Sequence, residues 1–252
     1  MIYHFSLITS LLVKTEAIVL HALKYGEKQL IVDMFTREHG RLSFIVPLPR
    51  SERSRIKKQY VQPLTLLALE ADVRPQVQLQ KLRDASLLSP LPSLLTHTTK
   101  LSISLFLSEF LYHALKGEQR NDLLFDYVRQ SIEWLDGVTD EQGGCANFHL
   151  VFLMRLSRFL GFWPNLEDAG DYFDLRAATF CAAPPLHRDF LMPQEAGRIR
   201  LLMRMDYPTM HLFRLSRQER SRILELLLLY YRLHLPAFPE LRSLSVLREL
   251  YQ

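Results

Sequence analysis

Hydrophobic and polar positions follow different patterns in the two parts of this chain. Residues 13–88 carry short β-branched and aromatic runs separated by turn residues, as strands do. Residues 95–252 carry apolar side chains every three or four positions, a spacing typical of helices. A proline-containing break at 89–93 separates the two parts. The pattern therefore predicts an α+β chain, with an N-terminal extension at 1–12, a β domain at 13–88 and a helical domain at 95–252.

The β domain has five strand candidates. They are Ala17–Leu23, Gln29–Thr36, Arg41–Val46, Leu64–Val73 and Val77–Leu88. Five short strands so closely spaced predict a small closed barrel, and the five-stranded oligonucleotide-binding (OB) fold is the leading candidate. The same periodicity is also consistent with an SH3-like barrel.

The helical domain is predicted as an α-helical bundle. Its helices are expected at Lys100–Lys116, after the cap Asn121, at Phe148–Leu160, at Arg217–Leu235 and at Glu240–Tyr251. Ser216 and Glu219 have the spacing of a capping box, which predicts the start of the fourth of these helices. Residues 164–192 show no sustained period and are expected to form an irregular loop.

The positive charge of the chain is concentrated in the β domain. The whole chain carries a formal charge of +4. Residues 13–88 hold 13 Lys and Arg against 8 Asp and Glu, whereas residues 89–252 hold 18 against 19. Most of this excess lies in one window that contains Arg37, Arg41, Arg50, Arg53, Arg55, Lys57 and Lys58. Such a window is commonly a solvated face, but it also provides a surface for phosphate groups.

Enzymatic motifs are missing from the sequence. The nine glycines form no dinucleotide-binding or P-loop motif, so we expect no enzyme and no cofactor. An acidic cluster is the strongest enzymatic candidate, and its members are Glu167, Asp168, Asp171 and Asp174. These carboxylates could hold Mg²⁺ in a metal-dependent nuclease, although a solvated acidic loop is favoured.

Two further features concern the compartment of the protein. Cys145 and Cys181 cannot form a disulfide framework, which fits a reducing compartment. The apolar stretch Phe5–Val13 is too short to span a bilayer and follows no basic segment. We therefore expect a soluble, cytoplasmic protein.

Nucleic-acid binding fits the sequence better than catalysis does. Single strands are held by a cationic groove together with aromatic faces on which bases stack. Phe35 and Phe44 flank the cations Arg37 and Arg41, and Tyr60 follows the basic loop. For these aromatic residues a place in the barrel core is the favoured interpretation. For the basic window, phosphate contact is favoured, and either DNA or RNA could be the ligand.

Several segments in the correct order resemble the RecO family of recombination mediators. They are Lys14–Leu20, Tyr25–Glu27, Leu30–Val32, Phe35–Arg41, Leu229–Leu235 and Leu241–Leu247. The resemblance implies an OB barrel followed by a helical domain. It also implies binding to single- and double-stranded DNA, strand annealing, and loading of RecA onto strands coated by the single-strand-binding protein. The implied partners are RecR and the acidic C-terminal tail of that coating protein.

The resemblance and the charge pattern together select candidate DNA-binding residues. They are Lys14, Arg37, Arg41, Arg50, Arg53, Arg55, Lys57 and Lys58. Arg155 and Arg158, on a helix with apolar neighbours, are candidates for the acidic tail. Many members of the family carry a four-cysteine zinc site where this chain has residues 164–192. Here that span keeps only Cys181, so we predict no metal.

Overall fold

The computed structural model describes residues 11–49, 54–74, 76–139, 144–167 and 170–249. By internal contacts the chain divides into two compact units. The barrel unit comprises residues 1–92 and 108–129, and the helical unit comprises residues 93–107 and 130–252. Residues 108–129, which the sequence pattern assigns to the helical domain, thus pack with the barrel. We call them the docked segment.

Five strands close the barrel. They are β1 (Leu11–Tyr25), β2 (Gln29–Thr36), β3 (Gly40–Pro47), β4 (Leu66–Val73) and β5 (Leu79–Leu87). Their order around the barrel is β1-β2-β3-β5-β4. Strands β3 and β5 pair in parallel, and the other four pairs are antiparallel. This Greek-key order confirms the predicted OB fold and excludes the simpler strand order of an SH3-like barrel.

Alternating apolar side chains fill the barrel. Val32, Met34, Phe44 and Val46 point inward from β2 and β3, and all four are buried. Strand β1 pairs with β4 over Leu11–Ile18 and with β2 over Ala17–Tyr25, and the pairing with β2 contains a bulge between Val19 and His21. Strand β1 therefore takes part in both halves of the barrel.

In the described residues, seven α-helices follow the barrel strands. They are α1 (Pro92–Thr96), α2 (Thr98–Ala114), α3 (Asp122–Gly137), α4 (Phe148–Phe159), α5 (Pro193–Arg204), α6 (Arg217–His234) and α7 (Ser243–Glu249). The predicted caps are present. The Leu124 N–H donates to Asn121 Oδ1 at 3.1 Å, and Ser216 forms a capping box with Glu219. Helix α5 was not predicted, because Gly197 in its interior weakens the helical pattern.

Residues 164–192 are more ordered than the sequence predicts. They contain β6 (Tyr172–Asp174), β7 (Thr179–Cys181) and β8 (Phe190–Leu191), which pair antiparallel in the order β7-β6-β8. The expectation of an irregular loop is therefore wrong. Strands of two or three residues are too short to show an alternating pattern, and each is held through one buried residue such as Phe173 or Phe180.

The docked segment lies against the β2–β3 turn of the barrel. The rings of Phe35 and Phe125 are 5.7 Å apart, and the Ser108 hydroxyl donates to the Leu20 carbonyl. The Arg41 N–H donates to the Glu118 carbonyl at 3.0 Å. Gly40, with φ of +68°, permits this approach, since a Cβ there would lie 2.2 Å from the Glu118 carbonyl oxygen.

This approach predicts a difference between two glycine substitutions. Gly26 has a similar φ of +63°, but a Cβ there would meet nothing within 4 Å. Gly26→Ala should cost only the strain of a positive φ, about 1 kcal/mol. Gly40→Ala adds displacement of the docked segment and should cost at least twice as much. Urea unfolding of both variants measures the difference, and equal losses would contradict a tight contact at Gly40.

Candidate nucleic-acid interface

Arg37 is bound on three sides within the barrel unit. Its guanidinium donates to Glu16 Oε2 at 3.0 Å and to Asp126 Oδ1 at 2.6 Å. It also stacks 4.6 Å from the centre of the Phe125 ring. Arg129 joins the same group, with its Nη1 3.3 Å from Glu16 Oε2. Two carboxylates therefore balance two cations in this cluster.

Arg41 is held in a comparable way. Its Nη1 donates to the Tyr112 carbonyl at 2.7 Å, and its guanidinium lies 4.3 Å from the centre of the Tyr112 ring. Its Nη2 lies 3.3 Å from Asp33 Oδ1, which also accepts from the Ser43 hydroxyl at 2.5 Å. Burial raises the pKa of Asp33, but the nearby His21, whose Nδ1 lies 3.8 Å from Asp33 Oδ2, the hydrogen bond from Ser43 and the charge of Arg41 outweigh it, so the pKa is lowered overall.

The two arginines of the family motif therefore fasten the docked segment to the barrel. Their side chains are only 22% and 14% exposed, for Arg37 and Arg41 respectively. Sequence reasoning missed this role because the partners Tyr112 and Asp126 lie more than 70 positions away along the chain. That Arg37 and Arg41 contact DNA stays a prediction, but most of each side chain is already engaged.

The other predicted cations differ in their accessibility. Lys14 is 77% exposed and lies 2.8 Å from Glu70, an arrangement that raises the pKa of Lys14 through its hydrogen bond to that carboxylate. Arg55, Lys57 and Lys58 are exposed. Arg50 and Arg53 lie outside the described residues.

The exposed cations stand on an anchored loop. Ile56 lies between Arg55 and Lys57, Tyr60 and Val61 follow Lys58, and all three belong to the buried barrel core. This anchoring fixes the backbone that carries Arg55, Lys57 and Lys58. Tyr60 is 9% exposed, and Phe35 and Phe44 are fully buried. The aromatic residues that the sequence placed beside the cations are therefore core residues and offer no face to a base.

Strand β5 contributes two cations that sequence reasoning missed. Lys81 and Arg83 are exposed at alternate positions of the strand, and Leu82 between them points into the core. They face Arg55 across a groove of about 530 Å³. Its described lining consists of Pro47, Leu48, Ser54, Arg55, Ile56, Lys81, Leu82 and Arg83. We call this the β3–β5 groove. The Lys-x-Arg alternation in a strand was the available signal.

The groove has a net positive lining. Arg55 Nε lies 3.2 Å from Asp84 Oδ1, and both side chains are about half exposed or more. Arg83 Nε donates to Asp72 Oδ2 at 2.8 Å, and this hydrogen bond is the main cause of the lowered pKa of Asp72. An exposed pair such as Arg55–Asp84 contributes little to stability, so Arg55 can exchange partners at low cost, whereas Arg83 binds a carboxylate that is only 11% exposed.

The candidates for a partner site lie in the helical unit. Arg155 donates from Nε and Nη2 to the Met205 carbonyl, at 3.3 and 2.9 Å. Arg158, one turn later on α4, is exposed. The two arginines therefore have different availability for a ligand, and only Arg158 presents most of its side chain to solvent.

The acidic candidates for metal binding do not form a metal site in the described residues, and Asp174 has a structural role. Asp174 Oδ1 accepts from the N–H groups of Arg176 and Ala177, and its Oδ2 lies 3.1 Å from His187 Nε2. Asp168 lies outside the described residues. Within the described ranges, no three His, Cys, Asp or Glu side chains are grouped as a metal site requires. The absence of bound metal stays a prediction.

No helix in the described part of the chain is long and apolar enough to cross a membrane. The features that remain are a Greek-key barrel and a cationic groove beside β3 and β5. They define an oligonucleotide-binding-fold protein, a class in which a charged barrel face commonly follows the backbone of a nucleic acid.

Comparison with known proteins identifies the family within this class. Residues 10–91 match the family described as Recombination protein O N terminal, and residues 96–244 match Recombination protein O C terminal. The DNA repair protein RecO of Bacteroides fragilis is 51% identical over 244 residues, which cover 96% of this chain and all of that protein. RecO of Porphyromonas gingivalis is 34% identical over 247 residues, with the same coverage. The chain belongs to the RecO family of DNA repair proteins, so the resemblance seen in the sequence is confirmed.

The Arg37 cluster predicts a pH dependence of stability. The hydrogen bond from Arg37 is the main cause that lowers the pKa of Asp126. A carboxylate with a lowered folded-state pKa stabilises the fold fully above its unfolded value, about 3.9, and loses this contribution as the pH falls further. Asp126→Asn should therefore lower the thermal midpoint at pH 7, at a cost of about 1 kcal/mol or less, since the carboxylate is partly exposed.

The difference between Asp126→Asn and the unsubstituted protein should shrink as the pH falls below about 4. Thermal unfolding at several pH values measures it. Asp171→Asn, at an exposed carboxylate of the helical unit, serves as the control and should leave the midpoint unchanged throughout. A loss for Asp126→Asn that stayed constant down to pH 3 would contradict the ion pair.

Proposed function

We propose that this protein binds DNA without catalysing covalent chemistry, anneals complementary strands and helps load RecA onto single strands coated by the single-strand-binding protein. The observation that carries the proposal is the β3–β5 groove, a cation-lined channel on an OB barrel in a chain of the RecO family. Annealing requires two strands to be held by their backbones while their bases stay free. Phosphate contacts from exposed cations meet this requirement, because they are independent of sequence.

The groove and the anchored loop supply the phosphate contacts in this proposal. Arg55, Lys57 and Lys58 come from the loop, and Lys81 and Arg83 come from β5. Lys14, on β1 beside Glu70, is a further exposed cation, and Arg50 and Arg53 belong to the same basic window as the loop cations. Arg37 and Arg41 have a secondary place, since their hydrogen bonds already hold the docked segment.

The proposed partners follow from the family. They are RecR, the acidic C-terminal tail of the single-strand-binding protein and, indirectly, RecA. A carboxylate-rich tail needs a cationic group beside an apolar surface, because a buried carboxylate without a partner is costly. Arg158 fits this role better than Arg155, whose guanidinium is bound to the Met205 carbonyl.

The first test is the salt dependence of binding. Five phosphate contacts on a single strand correspond to a slope of log K against log salt of about −3 to −4. Replacing Lys57, Lys58 and Lys81 by Gln should reduce this slope by about 2 and weaken binding to all sequences alike. Fluorescence anisotropy with a labelled strand measures both quantities.

A matched control removes charge from the helical unit. Arg188 and Arg204 are exposed there, and their replacement by Gln should leave the slope unchanged. If the loop and strand substitutions left a folded protein with its original slope, the groove would not be the DNA site. Parallel titrations with RNA of the same sequence test the alternative ligand.

The second test separates a mediator from a simple DNA binder. Arg158→Glu should preserve annealing of naked strands and reduce annealing of strands coated by the single-strand-binding protein by about tenfold or more, because it repels an acidic tail. The whole chain must be used, since a fragment starting at residue 95 would take the docked segment away from the barrel.

Equal annealing of coated strands by both proteins would remove Arg158 from the partner site. The same reactions, run with Mg²⁺, also test the nuclease alternative. We expect full-length strands at the end, and shortened products would contradict a purely binding role.

A further inference from the structure

The β1–β2 hairpin is an exposed arm of the barrel unit. Residues 22–29 are all exposed, although Ala22 to Tyr25 remain paired with β2. Two large apolar side chains stand on this arm, Leu23 at 54% and Tyr25 at 52% exposure. Both occupy alternate positions of one strand, so they share one face of the hairpin.

Strand register extends this face across the barrel. Leu23 pairs with Ile31, and Ile31 pairs with Ile45. Directly opposite residues in paired strands lie on the same side of a sheet. These residues therefore form an apolar row, which continues through the parallel pair of Ile45 and Lys81 into β5. We call the row, together with Tyr25, the outer strip.

A second row links Tyr25 to the β3–β5 groove. Tyr25 pairs with Gln29, and Gln29 pairs with Pro47, which lines the groove. The Leu48 N–H donates to the Lys28 carbonyl at 2.8 Å, so the hairpin turn is fastened to the chain that leaves β3. The outer strip and the cations of the groove are therefore parts of one continuous surface.

The rest of this outer face is covered. Asp33, Phe35 and Arg41 continue the same side of β2 and β3. Phe35 packs on Phe125 of the docked segment, and Arg41 binds both Tyr112 of that segment and Asp33. Exposed apolar surface thus begins where the docked segment ends. The uncovered part of this face carries two exposed large apolar side chains, Leu23 and Tyr25, beside the partly buried Ile31 and Ile45, and such a patch indicates a ligand surface.

The charge around the outer strip favours a nucleic acid. Lys24 and Lys28 are exposed on the hairpin, and Lys81 and Arg83 lie at the β5 side of the strip. Three inter-strand steps separate β1 from β5, about 14 Å, which is the span of a few nucleotides. An aromatic face with cations on both sides is the arrangement on which unpaired bases stack while their phosphates are neutralised.

We propose that Tyr25 is a base-stacking residue, through which this protein binds the unpaired bases of single-stranded DNA more tightly than duplex DNA. The inference rests on the proposed function, since it places the single strand in and beside the β3–β5 groove. Duplex DNA can bind the same cations but has no free base face for Tyr25. The phosphate contacts therefore supply affinity for both forms, and Tyr25 discriminates between them.

The test compares substitutions at Tyr25 on single and double strands. Tyr25→Ala should weaken binding of a dT oligomer about tenfold, as loss of one stacked base does. Tyr25→Phe should stay within about twofold, because the ring is kept. Binding of a duplex of equal length should change less than about twofold in both variants. Leu95→Ala serves as the matched control, since it removes an equally exposed apolar side chain that lies in the helical unit, outside the outer strip.

A spectroscopic measurement gives an independent answer. Tyr25→Trp should show fluorescence quenching on addition of the dT oligomer, beyond that of the two natural tryptophans in the unsubstituted protein. Because Tyr25 is half exposed, none of these variants should move the thermal midpoint.

The outcomes separate this inference from the proposed function. If the salt slope is present but Tyr25→Ala binds single strands normally and Tyr25→Trp is not quenched, stacking at Tyr25 is wrong and the groove proposal survives. If the unsubstituted protein shows no salt-dependent binding, the proposed function fails as well. Loss of RecR binding in Tyr25→Ala, with DNA binding intact, would make the outer strip a protein interface and overturn the inference.

Discussion

The close contact between the β2–β3 turn and the docked segment supports much of the barrel unit. It depends on a position without a side chain, Gly40, where the turn meets the Glu118 carbonyl. On either side of it, Arg37 and Arg41 each bind both a carboxylate and an aromatic ring. These contacts bury the apolar outer side of β2, which an isolated barrel would expose to water. The barrel and the docked segment are thus parts of one hydrophobic structure.

This constraint explains which parts of the site the sequence could predict. Alternation of apolar residues located all five strands, and the capping residues Asn121 and Ser216 located two helix starts, because these signals are local. The partners of Arg37 and Arg41 are distant in sequence, and no local pattern distinguishes an arginine that binds a carbonyl from one that binds a phosphate. Charge counting alone therefore placed Arg37 and Arg41 in one site with the cations of the β3–β5 groove. The strand pairing and the contacts with the docked segment separate the two sets of cations, and neither can be read from a local sequence pattern.

The same distinction applies to the aromatic residues. Phe35 and Phe44 lie in the basic window, where a stacking role was conceivable, and both are buried in the structure. Tyr25 is the last residue of β1, at a hairpin that carries fewer cations than the basic window. Its side chain is exposed because β1 extends beyond the barrel, and the sequence does not indicate that length. Short strands such as β6 to β8 were missed for a related reason, because two or three residues contain no period.

The discontinuity of the barrel unit along the chain affects its synthesis. All five barrel strands have been synthesised once Leu87 is added, but the docked segment extends to Arg129. Until then the nascent barrel exposes Phe35 and the neighbouring outer face of β2, a surface prone to aggregation. At a synthesis rate of about 5–20 residues per second, this interval lasts a few seconds. A run of slow codons or a premature stop between Leu87 and Arg129 would leave a barrel whose strands are paired but whose apolar outer face is still exposed. Chaperones bind surfaces of this kind.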